Sequence, residues 1–259
     1  MSIIEAVVLG LVQGVTEFLP ISSSGHLVVI PELFGWEEQS LLFDVVVHLG
    51  SLAAIVLMLW NDILGVFERD RTGTPMWVKL AVSAPPILLA GFLIDQWLGE
   101  GLRLPLVVAI SLIFWGFVLW WVDRQAQSNK KNDPNEVTWK TAAVMGLAQA
   151  LALVPGTSRS GITMIAGMDR GLTRVAASRF SFLMAVPVIA AAGGYKLLDA
   201  VVNGAQESWI ILIVGAIASF AAGIVSIKFL LAIVARTSFK WFAFYRIALG
   251  IVLIIWWLA

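Results

Sequence analysis

Two short segments concentrate the polar chemistry of this chain: QGVTEFLPISSSGH over residues 13–26 and PGTSRSG over residues 155–161. The first carries an amide (Gln13), a carboxylate (Glu17), three consecutive hydroxyls (Ser22, Ser23, Ser24), then Gly25 and an imidazole, His26. The second sets Ser158, Ser160 and Gly161 around one guanidinium, Arg159. An arginine fork grips two phosphate oxygens at once, serine hydroxyls and the N–H groups at a helix start donate to an oxyanion, and glycine permits close approach. Glu17 can hold a divalent cation or act as a base. His26 can move a proton or attack phosphorus directly, and a serine activated by His26 is an equal route. The pattern points to chemistry on a phosphorylated anion.

Those residues sit in a chain built for lipid. Hydrophobic residues make up 59% of it and charged ones 13%, a balance outside that of soluble domains. Apolar stretches of crossing length fall at 41–60, 77–98, 104–122, 180–199, 209–234 and 241–258. Segments 3–34 and 139–170 are also apolar but are interrupted by Pro20 to Gly25 and by Pro155 to Gly161. A break frees backbone groups that cannot face hydrocarbon, so both are expected to be re-entrant hairpins with their tips in protein or a wet cavity. The residues from Met1 to Glu5 show no basic region or cleavage signal and are not read as a removable signal peptide. With no cysteine, disulfides and thiolate metal sites are excluded, and a net charge of zero argues against a nucleic-acid partner.

Basic residues mark one side. Arg69, Arg71 and Lys79, Arg124, Lys130, Lys131 and Lys140, Arg170, Arg174 and Arg179, and Arg236 and Lys240 fall in loops expected to be cytoplasmic. The loops at 35–40, 99–103 and 200–208 carry Glu37, Glu38, Glu207 or a balanced Glu100 and Arg103, and are expected outside with both termini. An internal repeat is also visible. At an offset of 136, Gly10, Leu11, Gln13, Ser22, Ser24 and Gly25 fall on Gly146, Leu147, Gln149, Ser158, Ser160 and Gly161, whereas Glu17 falls on Leu153 and His26 on Ile162. One hairpin plus three crossings per copy inverts the second copy. The expected fold is therefore an all-α integral membrane protein of six transmembrane helices plus two re-entrant helix-loop-helix hairpins in an inverted-topology repeat. A single membrane domain spans 1–259: a first repeat at 1–122, a cytoplasmic linker at 123–138 and a second repeat at 139–259. In such repeats the broken helices meet near the midplane and form the site there.

The two segments, together with RVAASRFSFLMAVP at 174–187, resemble the bacterial undecaprenyl-diphosphate phosphatases, also called bacitracin-resistance proteins, over nearly the whole chain. The resemblance implies removal of the terminal phosphate from a C55 isoprenoid diphosphate, which regenerates the carrier used in peptidoglycan synthesis, in the bacterial inner membrane with a site open to the periplasm. It implies that His26 and Ser23 carry the chemistry, that Arg159 binds phosphate, and that Mg2+ or Ca2+ is required. The family's Glu/Gln and Glu motif is here Gln13 and Glu17, so only one of the two candidate metal ligands is acidic. The partners implied are a long-chain polyprenyl diphosphate and the bilayer, with a homodimer as a candidate assembly.

Other readings set the contrast. Serines in a membrane hairpin can simply satisfy backbone carbonyls; Arg159 argues for more, since a buried cation needs an anionic partner. Asp44 and His48 share one face of the 41–60 helix and are read as a structural hydrogen bond or water contact rather than a second proton relay. Trp120, Trp121, Trp256 and Trp257 sit at helix ends as an aromatic belt. An inverted-repeat transporter or flippase for a phosphorylated lipid or small anion is the alternative, and it would need the oxyanion cradle but no acid–base pair. Lipid phosphatases with related SGH and SR stretches need a second histidine after the arginine, and none follows Arg159.

Overall fold

The computed structural model describes residues 1–68, 73–97, 104–126, 137–203 and 207–258. Arg69, Arg71, Glu100, Arg103, Lys130 and Lys131, and residues 127–136 of the expected linker, lie outside the described residues. The fold is all-helical. Helices α1 (Ile3–Thr16) and α2 (Ser23–Phe34) precede α3 (Leu41–Met58), the short α4 (Trp60–Leu64), α5 (Met76–Ser83), α6 (Pro85–Trp97) and α7 (Pro105–Ala126). There follow α8 (Trp139–Ala150), α9 (Arg159–Asp169), α10 (Arg174–Asn203), α11 (Trp209–Val234) and α12 (Lys240–Leu258).

Local chemistry sets the boundaries. Ser2 and Glu5 form a reciprocal capping box on α1, and Ser40 and Thr138 cap α3 and α8 by accepting from the N–H groups of Phe43 and Thr141. Six stretches among the described residues are long and apolar enough to cross a membrane: Leu41–Met58, Met76–Leu93, Pro105–Ala126, Arg174–Asn203, Trp209–Val234 and Lys240–Leu258. Their outer faces expose large apolar side chains such as Leu89, Phe117, Ile213, Ile217 and Val225, as a lipid-facing surface requires.

Two of the expected crossings differ in detail. The 77–98 segment breaks between α5 and α6, because Pro85 and Pro86 have no N–H to continue the helical ladder. The 180–199 segment begins earlier, at Arg174, and both Arg174 and Arg179 have carboxylate partners on neighbouring helices, the first buried and the second partly exposed. Arg174 pairs with buried Asp123 of α7, whose other oxygen accepts from the N–H of Phe239, and Arg179 pairs with Asp62 of α4 at 2.7 Å. Asp123 thereby ties the adjoining ends of α7, α10 and α12 together.

Packing pairs helices from the two halves of the chain. Helix α1 lies along α11, α8 along α5 and α6, α3 against α10 and α11, and α7 against α12. Small residues permit these approaches. A Cβ on Gly10 or Gly14 would overlap the backbone of Gly215 or Ser219 on α11, and one on Gly146 would lie 2.5 Å from the carbonyl oxygen of Ser83 on α5. Hydrogen bonds reinforce the contacts: Ser219 donates to the carbonyl of Val47 (2.7 Å) and Ser226 to that of Val15 (2.8 Å). Beneath the end of α1, Phe18 packs edge-on against Phe182 of α10 (centroids 5.3 Å apart), placing the residue after Glu17 in the main apolar core.

The packing predicts opposite outcomes at two helical glycines. Gly14→Ala should lower the unfolding temperature in detergent, because the methyl group drives α1 from α11. Gly194→Ala, where nothing lies within 4 Å of the added carbon, should leave it unchanged or raise it by an amount corresponding to about 0.5–1 kcal/mol.

Candidate functional site

Both interrupted helix pairs turn through the same backbone form. Ser22 (φ 75°) and Ser158 (φ 71°) are the non-glycine residues with positive φ among those described. Each caps the helix that follows: Ser22 Oγ accepts from the N–H of Gly25 at 3.3 Å, and Ser158 Oγ from the N–H of Gly161 at 3.0 Å. The positive φ at Ser22 and Ser158 leads the chain into α2 and α9, which pack against α1 and α8.

The two turns meet. A Cβ on Gly25 would lie 3.6 Å from Cα of Gly156, and Ser160 Oγ donates across the gap to the carbonyl of Leu19 (3.2 Å). Arg246 of α12, with no exposed surface, donates to the carbonyls of Pro20 (3.3 Å), Gly156 (2.9 Å) and Thr157 (2.8 Å). One guanidinium therefore satisfies carbonyls released by both breaks.

Glu17 lies just beyond the end of α1 and is buried. Its Oε1 accepts from Nη2 of Arg159 at 2.8 Å and from Nε at 3.3 Å, while Nη1 of Arg159 donates to the carbonyl of Ser181 at 3.0 Å. Oε2 accepts from Ser23 Oγ (2.7 Å) and Gln13 Nε2 (3.1 Å), with Nε2 of His48 3.5 Å away. Carboxylate and guanidinium come from opposite halves of the chain and are the other's counter-charge. They face a cavity of about 460 Å³ whose polar end is formed by Glu17, Ser23, Ser24, Asp44, His48 and Arg159. Leu27, Val28, Val45, Leu153, Val188 and Ile189 contribute to its apolar wall.

Gln13, Glu17, Ser23 and Arg159 are thus brought together; Glu17, Ser23 and Arg159 line the cavity with Ser24, whereas Gln13 is fully buried. Ser22, Ser158 and Ser160, expected as oxyanion donors, are buried and engaged with backbone groups and neighbouring hydroxyls, because polar groups at a helix break must be satisfied before any ligand can be. Gly25 and Gly161 serve close packing: their added carbons would meet Val108 Cγ1 at 3.1 Å and Arg246 Nη1 at 2.8 Å. His26 does not line the cavity. Its Nδ1 lies 2.7 Å from the carbonyl oxygen of Ser22 and its Nε2 2.7 Å from the hydroxyl of Tyr245, which directs the ring toward α12.

His48 Nδ1 bonds to the backbone carbonyl of Asp44 at 2.6 Å, whereas the Asp44 carboxylate accepts from Gln39 Nε2 at 2.9 Å, and both side chains line the cavity. The other nitrogen of His48 nevertheless faces Glu17, which the helical spacing alone did not indicate. Arg246 was also missed. Its signal was a lone cation deep within the apolar run KWFAFYRIALGIVLIIWWL, where a charge needs an internal partner.

Among the described residues no group of three or more His, Cys, Asp and Glu is placed to hold a metal ion. Gln13 Oε1 is buried without a hydrogen-bond partner while Nε2 of the same amide donates to Glu17, so this oxygen, the carboxylate and the Ser23 hydroxyl are the hard donors available to a cation. One carboxylate and one amide oxygen make a partial site, of the kind a Mg2+ ion completes with substrate phosphates.

A multi-pass helical membrane protein with a carboxylate, an arginine and a serine clustered at the polar end of an apolar-walled cavity is the class these features define. Residues 6–252 match the family described as Bacitracin resistance protein BacA, and the chain belongs to that family. It is 41% identical over 263 residues to an undecaprenyl-diphosphatase of Chromohalobacter salexigens, covering 98% of each chain. It is 40% identical over 266 residues to undecaprenyl-diphosphatase 2 of Stutzerimonas stutzeri and 41% identical over 263 residues to an undecaprenyl-diphosphatase of Alteromonas mediterranea, again with 98% of each chain covered.

Removing the Arg246 side chain strands several buried carbonyls at once. Arg246→Ala should destabilise the folded protein by about 3 kcal/mol or more, read as a lower unfolding temperature or denaturant midpoint in detergent.

Proposed function

We propose that this chain hydrolyses undecaprenyl diphosphate to undecaprenyl phosphate and inorganic phosphate, recycling the lipid carrier for peptidoglycan synthesis and giving resistance to bacitracin. Membership of the bacitracin-resistance family and the names of its relatives support the activity. The observation that carries the mechanism is the contact set of Ser23, Glu17 and Arg159 on the cavity wall.

In this reading Ser23 Oγ attacks the terminal phosphorus while Glu17, already accepting its hydrogen bond, takes the proton. The Oγ–P bond forms, the bridging P–O bond breaks, and the lipid monophosphate leaves with the bridging oxygen. Glu17 passes that proton to the departing lipid monophosphate and, ionised again, takes one from a water whose oxygen attacks the phosphoserine phosphorus; the P–Oγ bond breaks, Ser23 Oγ recovers the proton and inorganic phosphate leaves. Arg159 offsets charge on the transferring phosphoryl group, the main demand that phosphoryl transfer makes of a protein. His48, 3.5 Å from Glu17, adds a polar group at the same end of the cavity. Mg2+ or Ca2+ would be held by Glu17 and by Gln13 through its unpartnered oxygen, and when bound would neutralise diphosphate charge.

The cavity, at about 460 Å³, suits a diphosphate and the first part of a prenyl chain, leaving the remaining tail in the bilayer. The pairs α1–α2 and α8–α9 are read as re-entrant hairpins of an inverted repeat, with 1–122 and 139–259 as its copies. The matching turns at Ser22 and Ser158 and the reciprocal packing of α1 on α11 and α8 on α5 support this reading. Placement in the inner membrane with the site facing the periplasm follows the family resemblance. A transporter or flippase would use the same fold, but a serine bonded to a buried carboxylate is superfluous for carriage alone.

Phosphate release from a long-chain polyprenyl diphosphate in detergent, with and without chelator, tests the proposal. Ser23→Ala and Glu17→Gln should each lower kcat by about 10³-fold or more, and Arg159→Lys by about 10²-fold, since a point charge does not reproduce the fork. Chelation should abolish turnover and Mg2+ or Ca2+ restore it. Lipid movement without phosphate release, or wild-type turnover by Glu17→Gln, would sink the reading.

A further inference from the structure

His26 leaves one question open once Ser23, Glu17 and Arg159 have been assigned. Its ring is buried off the cavity wall, with both nitrogens engaged. A carbonyl oxygen can only accept, so the bond to Ser22 requires the proton on Nδ1. In the neutral ring Nε2 then has a lone pair, and the Tyr245 hydroxyl at 2.7 Å donates to it. The two rings lie nearly parallel, 3° apart in plane and 5.8 Å between centroids. This network leaves neither nitrogen free to meet phosphorus.

We infer that Tyr245 is a positioning residue that acts through His26 on the peptide carrying Ser23; the inference rests on the reading of Ser23 as nucleophile. The carbonyl held by His26 belongs to the peptide unit joining Ser22 to Ser23. Ser22 is fixed at φ 75°, a backbone form non-glycine residues seldom adopt, and the next residue must place its hydroxyl 2.7 Å from Glu17. A small rotation of that peptide would move Ser23 Oγ off line, and reacting atoms tolerate little misplacement.

The second turn provides an internal control. Ser158 adopts the same form at φ 71° with the same serine-to-glycine cap, yet the residue in the place of His26 is Ile162. The turn therefore forms without an imidazole. The ring occurs only where the following residue is Ser23 rather than Arg159. Its hydroxyl partner comes from the helix that also supplies Arg246, so neighbouring residues of α12 hold the first turn from two directions, through His26 and through the Pro20 carbonyl.

Side-chain topology makes the idea testable. The amide nitrogen of asparagine is attached at Cγ, as Nδ1 of histidine is, and can donate to the Ser22 carbonyl; that of glutamine is one atom further out, where Nε2 lies. In purified, folded protein, His26→Asn should keep at least tenfold more kcat than His26→Gln. Tyr245→Phe should lower kcat about fivefold with KM and unfolding temperature unchanged, the scale of one lost hydrogen bond. The protein has two histidines, so ring-15N spectra can be assigned by comparison with His26→Asn. His26 should appear as the Nδ1–H tautomer, and its Nε2 signal should shift in Tyr245→Phe. An Nε2–H tautomer in the wild type, equal loss in the Asn and Gln variants, or an unaffected kcat in Tyr245→Phe would overturn the inference. Trapping phosphoenzyme from labelled substrate separates the two layers. Label on Ser23 with any of those results removes only the positioning role, whereas label on His26 removes the reading of Ser23 with it.

Discussion

Backbone satisfaction at two interrupted helices is the constraint on which the rest of this structure depends. A break inside an apolar protein releases carbonyl and N–H groups that have no water to turn to. Here the N–H groups are met by the hydroxyls of Ser22 and Ser158 and the carbonyls by Ser160 and a buried arginine, Arg246, which holds Pro20 on one turn and Gly156 and Thr157 on the other. Because one side chain serves both turns, their separation is set by the reach of a guanidinium. That separation is what lets a carboxylate at residue 17 meet an arginine at residue 159.

The pairing of Glu17 with Arg159 is the functional counterpart. Alone, either charge would be expensive to bury; together they can be kept buried and still face a cavity. The pair also divides labour between the halves. The first turn presents the carboxylate and the hydroxyl bonded to it, and the second presents the fixed cation. At the offset that relates the two segments, Glu17 falls on Leu153 and Ser23 on Arg159, so related backbones carry different chemistry. Small residues on α1 and α8 bring each broken helix against a helix of the other half, so the halves cannot separate without dismantling the site.

Much of this could be read along the chain. Pro20 and Pro155 marked the interruptions, six apolar runs marked the six crossing-length stretches, and Glu17 and Arg159 stood out because charged groups in such surroundings need partners, whereas Gln13 and the choice of Ser23 came from the family resemblance. The serines show where that logic weakens. All five looked alike as hydroxyl donors, yet Ser23 and Ser24 line the cavity while Ser22, Ser158 and Ser160 serve the backbone. A one-residue step around a helix start decides the difference, and residue type carries no record of it.

The amino-acid sequence by itself determined that this is a helical membrane protein, where its helices break, and which rare polar residues must find one another, since hydrocarbon tolerates few alternatives. Only the tertiary structure decided the directions of the side chains. His26 turned to Tyr245 and not to the cavity, His48 approached Glu17 from α3, and Arg246 reached turns about 90 and 226 residues away in the chain. Such choices depend on the angle and register at which distant helices pack, and those follow from the summed contacts of many apolar residues, none of which identifies its partner locally.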